Sequence, residues 1–461
     1  MEVSKTIFRE YDIRGVVGED LTPAVAYAVG RAYASRVDVG PRMRVAVGHD
    51  NRPTSSELAA ALCEGLNRSG VDTILVGTVP TPALYFAALE LKTDGGIQIT
   101  GSHNPPEYNG IKMMVGERTL YGAAIQELRS AVESDRFADG SGTHRSEEIL
   151  SRYIEEIGAR AHLDEPLHVV LDCGNGAGSV AAPQALMAAG ARVDCLYCES
   201  DGTFPNHHPD PTVDANLMDL IAMVRRSGAA LGVGLDGDAD RIGAVTEKGE
   251  IVRGDRLLLL FALDVLPRAP GAEIIFDVKC SKALPEMIAA AGGVPVMWKT
   301  GHSLIKERMR RSGSPVAGEM SGHICFADNY FGFDDAIYAA ARLAQMVQRS
   351  GRPLSELAAR IPEYPSTPEL RVEVPEERKF EIVSRAVERY RKTHDVNQID
   401  GARIQFEGGW ALIRASNTQP VIVLRFEADT VAALREIRDE IAEHMASDGV
   451  AVPELEGVGG R

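Results

Sequence analysis

The sequence is poor in cysteine, has no long apolar run and is short of positive charge, and each scarcity removes a class of function. Of its six cysteines (Cys63, Cys173, Cys195, Cys198, Cys280 and Cys325), only Cys195 and Cys198 form a C-x-x-C pair. Neither a second pair nor a histidine pair completes a zinc site. The pair lies in RVDCLYC, which reads as a strand, so small buried apolar side chains are expected there instead of redox or metal chemistry. The apolar run that begins at Leu257 falls far short of the ~20 residues needed to span a bilayer. The first stretch, MEVSKTIFREYDIRG, lacks an apolar h-region, which argues against secretion and for a cytoplasmic protein. Lys plus Arg number 49 against 66 Asp plus Glu, a net charge of −17. With no basic surplus to neutralise phosphates, neither nucleic acid nor an anionic membrane is an expected partner. A local Arg/Lys cluster can still hold a small anion in a cleft.

What is present is a repeat. A chain of 461 residues exceeds one core, which predicts roughly three or four domains. Three segments share one design, an apolar strand ending in Asp, then small polar residues, then a helix-like stretch: MRVAVGHDNRPTS, LHVVLDCGNGAGS and AEIIFDVKCSKAL. Each is followed by a second apolar strand (VDTILVG, ARVDCLY, VPVMW) and by a third that ends in a polar loop (ITGSHNP, LDGDADR, AGEMSGH). Strands alternating with helices imply βαβ units and parallel sheets. The expectation is three related α/β domains with mixed, largely parallel sheets, at 1–148, 149–251 and 252–364. Ligands in such sheets bind beyond the carboxyl ends of strands, so the three polar loops should face a shared central cleft. The last part, 365–461, carries the alternating ELRVEV, a charged helix, further strands and an amphipathic helix, which predicts a smaller α+β domain with an antiparallel sheet.

The loops differ in chemistry. LDGDADR sets Asp236, Asp238 and Asp240 at alternate positions, and an extended segment would turn the three carboxylates to one side. Carboxylates so close repel unless a cation joins them, and oxygen-only ligands suit Mg²⁺ or another hard divalent ion. An EF-hand would use Glu247 at its last position, but Arg241 stands where it needs Gly and the flanks read as strands. A solvated acidic turn is the plainer alternative. TGSHNPPEYNGIK places Ser102 beside His103 with Lys112 further on, and no G-x-S-x-G frames the serine. On a proline-stiffened loop Ser102 could carry a phosphoryl group, whose roughly −1.5 to −2 charges would be drawn to Mg²⁺ and Lys. An ordinary Asn/Pro turn is the competing reading. AGEMSGH carries Glu319, Ser321 and His323 at alternate positions, a set suited to paired sugar hydroxyls. RASNTQP follows a strand with a guanidinium, two hydroxyls and an amide, the parts of a phosphate cradle. GNGAG after Asp172 invites a nucleotide reading but lacks the full G-x-G-x-x-G context.

Taken together, the four loops resemble those of the α-D-phosphohexomutase family, closest to its bacterial phosphomannomutase/phosphoglucomutase members, in family order and over essentially the whole chain. The resemblance implies a phosphohexomutase that interconverts hexose 6-phosphate and hexose 1-phosphate, of mannose and/or glucose, through a hexose 1,6-bisphosphate. It makes Ser102 the phosphoserine, with His103 and Lys112 assisting, and gives Mg²⁺ to Asp236, Asp238, Asp240 and a phosphoserine oxygen. Arg241 would contact the reacting phosphate, Glu319 and Ser321 the sugar hydroxyls, and His323 the reacting end. Arg414, Ser416, Asn417 and Thr418 would grip the other phosphate. FREYDIRG matches the family's N-terminal signature, which brings Tyr11 and Arg14 to the active site. Lys279 and His302 would separate the two binding orientations. The implied partner is a small phosphosugar, and the implied state a monomer or homodimer. Phosphoglucosamine mutase is the nearest alternative, although its sugar loop usually has Gln where Met320 stands; a noncatalytic phosphosugar sensor is the alternative from another class.

Overall fold

Stretches rich in Val, Ile and Leu assemble as the repeat predicts. The computed structural model describes residues 3–36, 43–417 and 419–455. In the first sheet Arg44–His49 lies between Asp72–Thr78 and Gly95–Ile99, both parallel to it, and Tyr108–Val115 returns antiparallel beside Gly95–Ile99. The second sheet repeats this order with Arg192–Leu196, His168–Asp172, Leu231–Leu235 and the antiparallel Ile242–Thr246. The third does so with Val294–Trp298, Glu273–Asp277, Val316–Gly318 and Ile324–Phe326. In each, the turn into the antiparallel strand is one of the polar loops. All three loops therefore emerge at the carboxyl ends of parallel strands. Gly95–Ile99 and Leu231–Leu235 are buried at every position, as strands covered on both faces must be. Ile13–Val16 adds to the first sheet beside Tyr108–Val115, which brings the N-terminal signature up to the first polar loop.

One apolar cluster runs through all three α/β domains, from Tyr85 and Phe86 through Leu186 and Leu257 to the helix Ala336–Ser350. That helix is buried from Ala336 to Val347. Asp335 caps it by accepting from the Tyr338 amide at 2.8 Å, and Gly351 (φ 61°) ends it in a left-handed turn. Each fully buried Leu, Val or Phe contributes about 1.5–3 kcal/mol, so a shared core makes the three domains one block.

The C-terminal domain is the expected antiparallel sheet, in the order Leu370–Glu373, Val421–Ala428, Gly409–Ala415, Ala402–Phe406, Asp395–Asn397, backed by the helices Lys379–Tyr390 and Val431–Ala446. Its core, around Ile404, Ile413, Phe426 and Ile441, is separate. It meets the third domain through a small apolar patch of Val278, Trp410 and Leu412 and through charged contacts. Arg403 lies over the Trp410 ring, 3.6 Å from its centroid, and donates to the Cys280 carbonyl at 2.9 Å, while Arg425 donates to the carbonyl of Lys279.

The cysteine pair departs from the expectation of buried thiols. Arg192–Leu196 is an edge strand, so Cys195 is exposed and Cys198 half-buried. Among the described residues no helix is long and apolar enough to cross a membrane.

Candidate active site

Prolines and Asn end the ladder after Gly95–Ile99 and leave Ser102 buried with φ 49°. A serine keeps such a left-handed backbone only when its neighbours over-determine it. Here the neighbour is Arg52, whose buried guanidinium donates to the carbonyls of Ser102 (2.8 Å), Asn104 (2.6 Å), Pro105 (2.5 Å) and Tyr108 (3.0 Å). Asp50 accepts from Arg52 Nε at 3.2 Å and from the Gly101 amide at 3.0 Å. Arg14 adds a bond to Asn104 Oδ1 at 2.6 Å. Asp50 and Arg52 escaped the sequence reading, although the strand-ending HDNRP was in view. Ser102 Oγ donates to Asp236 Oδ2 at 3.1 Å and lies 3.1 Å from His103 Nδ1. Burial, with Arg241, Arg14 and Lys112 near, holds the His103 imidazole well below its usual range and neutral.

Asp236, Asp238 and Asp240 come together by a route other than the expected extended segment. Asp236 Oδ1 accepts from the amides of Asp240 and Arg241, both at 3.1 Å, and Ala239 adopts φ 59°, so the loop closes into a turn. The carboxylates are fully buried, with ligand oxygens within 4.8 Å of one another. Lys112 Nζ bridges Asp238 (2.7 Å) and Asp240 (2.5 Å), and Arg241 Nε pairs with Asp236 at 3.1 Å. Burial, with Asp240 and Asp238 alongside, pushes Asp236 up to about 8. Burial would raise Asp238 as well, but the Lys112 ammonium overrides it and holds that carboxyl down. Asp238 Oδ1 and Asp240 Oδ1 are buried without a hydrogen-bond partner. An oxygen-only cradle with two orphaned carboxylate oxygens fits a hard cation such as Mg²⁺. The first two loops touch through their backbones: a Cβ on Gly237 would stand 2.2 Å from the Ser102 carbonyl oxygen. Glu247, the EF-hand candidate, instead accepts from the Ser355 amide at 3.1 Å.

The third loop is also a turn, so Glu319, Ser321 and His323 do not line one side as expected. The Glu319 amide donates to the His323 carbonyl at 2.9 Å and Gly322 takes φ 93°. Glu319 consequently accepts from the Gly301 amide at 2.5 Å, Ser321 lines the cleft, and His323 turns inward. His323 stacks on His302 with ring centroids 5.1 Å apart. Both imidazoles lie against Asp334 Oδ2, their Nδ1 atoms at 3.1 Å (His323) and 3.2 Å (His302), and Lys306 Nζ holds the other carboxylate oxygen at 2.7 Å. The two histidines are driven apart: burial and Lys306 push His302 down to about 4, whereas Asp240 and Asp334 overcome burial and raise His323. Asp334 was missed because FGFDD carries no spacing signal. Lys279 pairs with Glu369 at 3.1 Å, a second residue the motifs did not reveal.

In the fourth loop Arg414 Nε bonds Asp400 Oδ2 at 2.6 Å, and Ser416 Oγ accepts from the Gln419 amide at 3.2 Å. Asn417 Nδ2 donates to the Tyr11 hydroxyl at 2.9 Å, which itself donates to the Thr300 carbonyl at 2.7 Å. Thr418 lies outside the described residues. A cleft of about 940 Å³, lined among others by His103, Arg241, Lys279, Ser321, Glu369 and Arg371, receives residues from all four domains.

Four family models match the chain in order. They are described as phosphoglucomutase/phosphomannomutase alpha/beta/alpha domains I, II and III and the C-terminal domain, over residues 5–139, 151–249, 253–364 and 369–444. The chain belongs to the phosphoglucomutase/phosphomannomutase family. Within that family, a phosphomannomutase/phosphoglucomutase of Pseudomonas aeruginosa is 48% identical over 450 residues, 97% of either chain. A phosphoglucomutase of Neisseria gonorrhoeae is 46% identical over 442 residues, 95% of this chain and 96% of its own. The crystal structure of a phosphoglucomutase/phosphomannomutase family protein from Burkholderia thailandensis matches with a TM-score of 0.93 at 42% identity, covering 98% of this chain and 100% of that one. The family resemblance and the plan of three α/β domains with a fourth are both borne out.

Proposed function

We propose that this phosphoglucomutase/phosphomannomutase family member interconverts the 6-phosphate and 1-phosphate of mannose, glucose or both, with Ser102 as phosphoryl carrier and a hexose 1,6-bisphosphate as intermediate. The observation that carries this reading is Ser102 Oγ, 3.1 Å from both Asp236 Oδ2 and His103 Nδ1, on a loop pinned by Arg52. The names of close relatives support it. Asp236, Asp238 and Asp240, with an oxygen on Ser102, would hold Mg²⁺, which would offset the charge of a phosphoryl group there. The protein's own part is positioning and charge. Phosphoryl transfer has a loose transition state, so a fixed donor and the cations of Lys112 and Arg241 supply most of what it needs. The bond from phosphorus to Ser102 Oγ breaks as a sugar hydroxyl oxygen bonds phosphorus, and that hydroxyl's proton ends on Ser102 Oγ, with neutral His103 beside it.

The bisphosphate then turns over, and the other phosphate returns to Ser102. Glu319 and Ser321 would hold sugar hydroxyls in either pose, with His323 at the reacting end. Lys279 and His302 would serve alternate orientations, with Tyr11 and Arg14 closing the cleft wall. Arg414, Ser416, Asn417 and Thr418 would hold the remote phosphate on a domain whose separate core lets it release and re-grip. Side-by-side assays of mannose, glucose and glucosamine 1-phosphates, with Mg²⁺ and traces of hexose 1,6-bisphosphate, test this. Turnover of the first two, abolished in Ser102→Ala, is expected. No isomerisation of any sugar rejects the reading, and preference for the glucosamine compound makes the chain a phosphoglucosamine mutase.

A further inference from the structure

We propose that Cys173 and Cys198 form a reversible thiol–disulfide pair, closed by hydroperoxides, that adjusts the acidic loop from behind. Their sulfurs are 3.4 Å apart, in contact without a bond. Cys173 directly follows Asp172, which pairs with Leu196 across two parallel strands. Tyr197, left-handed at φ 51°, ends the edge strand and folds Cys198 back, so that its Sγ lies 3.5 Å from the Leu196 carbonyl oxygen and 3.6 Å from that of Leu171.

The two thiols are unequal. Cys173 is buried, whereas Cys198 is half-buried and within reach of a small oxidant. The contact with Cys173 draws the Cys198 thiol below its ordinary range, while the same contact and burial hold Cys173 up. The more exposed Cys195 is shifted the opposite way from Cys198, pushed up by burial to about 12. Cys198 is therefore the first nucleophile. Its thiolate attacks hydrogen peroxide: an S–O bond forms, the O–O bond breaks, and the departing hydroxide takes up the thiol proton as water. The Cys173 sulfur then attacks the sulfenic sulfur of Cys198. The S–S bond forms, the S–O bond breaks, and hydroxide leaves with the Cys173 proton as a second water.

The pair sits behind the acidic loop. Asp172 accepts from the Gly174 amide at 2.8 Å and from His207 at 3.0 Å. The turn continues to Gly176, where a Cβ would stand 2.7 Å from the Gly237 carbonyl oxygen, and Ala177 donates its amide to that oxygen at 2.8 Å. His207 leads into the segment whose Asp210 lies 3.4 Å from Arg241. Drawing Cys173 onto Cys198 displaces the support of both Gly237 and Arg241.

The test is graded hydrogen peroxide on the full-length protein, read by non-reducing peptide mapping, thiol titration and mutase turnover before and after dithiothreitol. A 173–198 disulfide, two thiols fewer per chain, and a several-fold loss of turnover that dithiothreitol restores are expected. Cys195→Ser should behave as the wild type, and Cys198→Ser should keep its turnover through the same doses. Absence of the bond, or a bond through Cys195, overturns the pair; a complete 173–198 bond with unchanged turnover overturns the switch. The mapping arm is independent of the mutase reading, on which only the turnover arm rests.

Discussion

Replacing Lys112 by Met removes the ammonium that lies 2.7 Å from Asp238 and 2.5 Å from Asp240. Arg241 already pairs with Asp236 at 3.1 Å, so without a metal the charges left to Lys112 are those of Asp238 and Asp240. The variant thus strands two buried carboxylates, and deleting one side of a buried ion pair costs about 3–5 kcal/mol. A block of three domains loses about 1–2 °C per kcal/mol, so the melting temperature in chelator should fall by about 3–10 °C. A bound divalent cation supplies the missing charge at the same oxygens. Scanning calorimetry in millimolar Mg²⁺ should therefore recover most of the drop, with a larger Mg²⁺ gain for the variant than for the wild type. Turnover should stay near background in both media. An identical melting-temperature loss with and without Mg²⁺ refutes the reasoning, because it would mean that the acidic cradle and Lys112 do not share a charge problem.

Gly237→Ala forces a Cβ to within 2.2 Å of the Ser102 carbonyl oxygen, so it should part the two loops and cut turnover at least about tenfold with little change in melting temperature; turnover at the wild-type level counts against the contact. Asp334→Asn weakens the shared anchor of His302 and His323. A fall in kcat of up to about 100-fold is expected with KM changed only a few-fold, and an effect confined to KM counts against a positioning role. Lys279 and Arg371 overcome burial to draw the Glu369 carboxyl down to about 2. A depressed carboxyl adds stability above its unfolded value of about 4.3 and loses it as pH falls towards the folded value. Acid melts of Glu369→Gln should lack that part of the wild-type slope between those limits, and parallel curves would reject the pairing.

The repeat was legible because three strands ending in Asp, each followed by two more strands and a polar loop, can close in few ways. Two of its aspartates prove to share one structural role, since Asp50 and Asp277 brace their own domain's polar loops by accepting from the amides of Gly101 and Met320, whereas Asp172 accepts from Gly174 in the turn that follows it. Ser102 and the acidic trio were readable since their chemistry is carried by residues close in sequence. The alternation of Asp236, Asp238 and Asp240, and of Glu319, Ser321 and His323, predicted a strand pleat, but turn closure sets their directions. Asp334, Glu369 and Arg52 were invisible because each acts on a residue distant in the chain, at 334 on 302 and 323, 369 on 279, and 52 on 102 to 108. Pairings of that kind are created only by tertiary packing, inside one domain for Arg52 and Asp334 and between two for Glu369.

Tyr11 joins the first domain to Thr300 of the third and Asn417 of the last, across 406 residues of chain in the latter case. The four domains are threaded in a row yet fastened in a ring, and a ring opens at its weakest joint. One neutral hydrogen bond is worth about 1 kcal/mol in water, far less than parting the shared core of the three α/β domains. Parting Tyr11 from Asn417 therefore costs little more than thermal energy. Tyr11 and Asn417 are the clasp of a bracelet whose other links are held by far larger contacts.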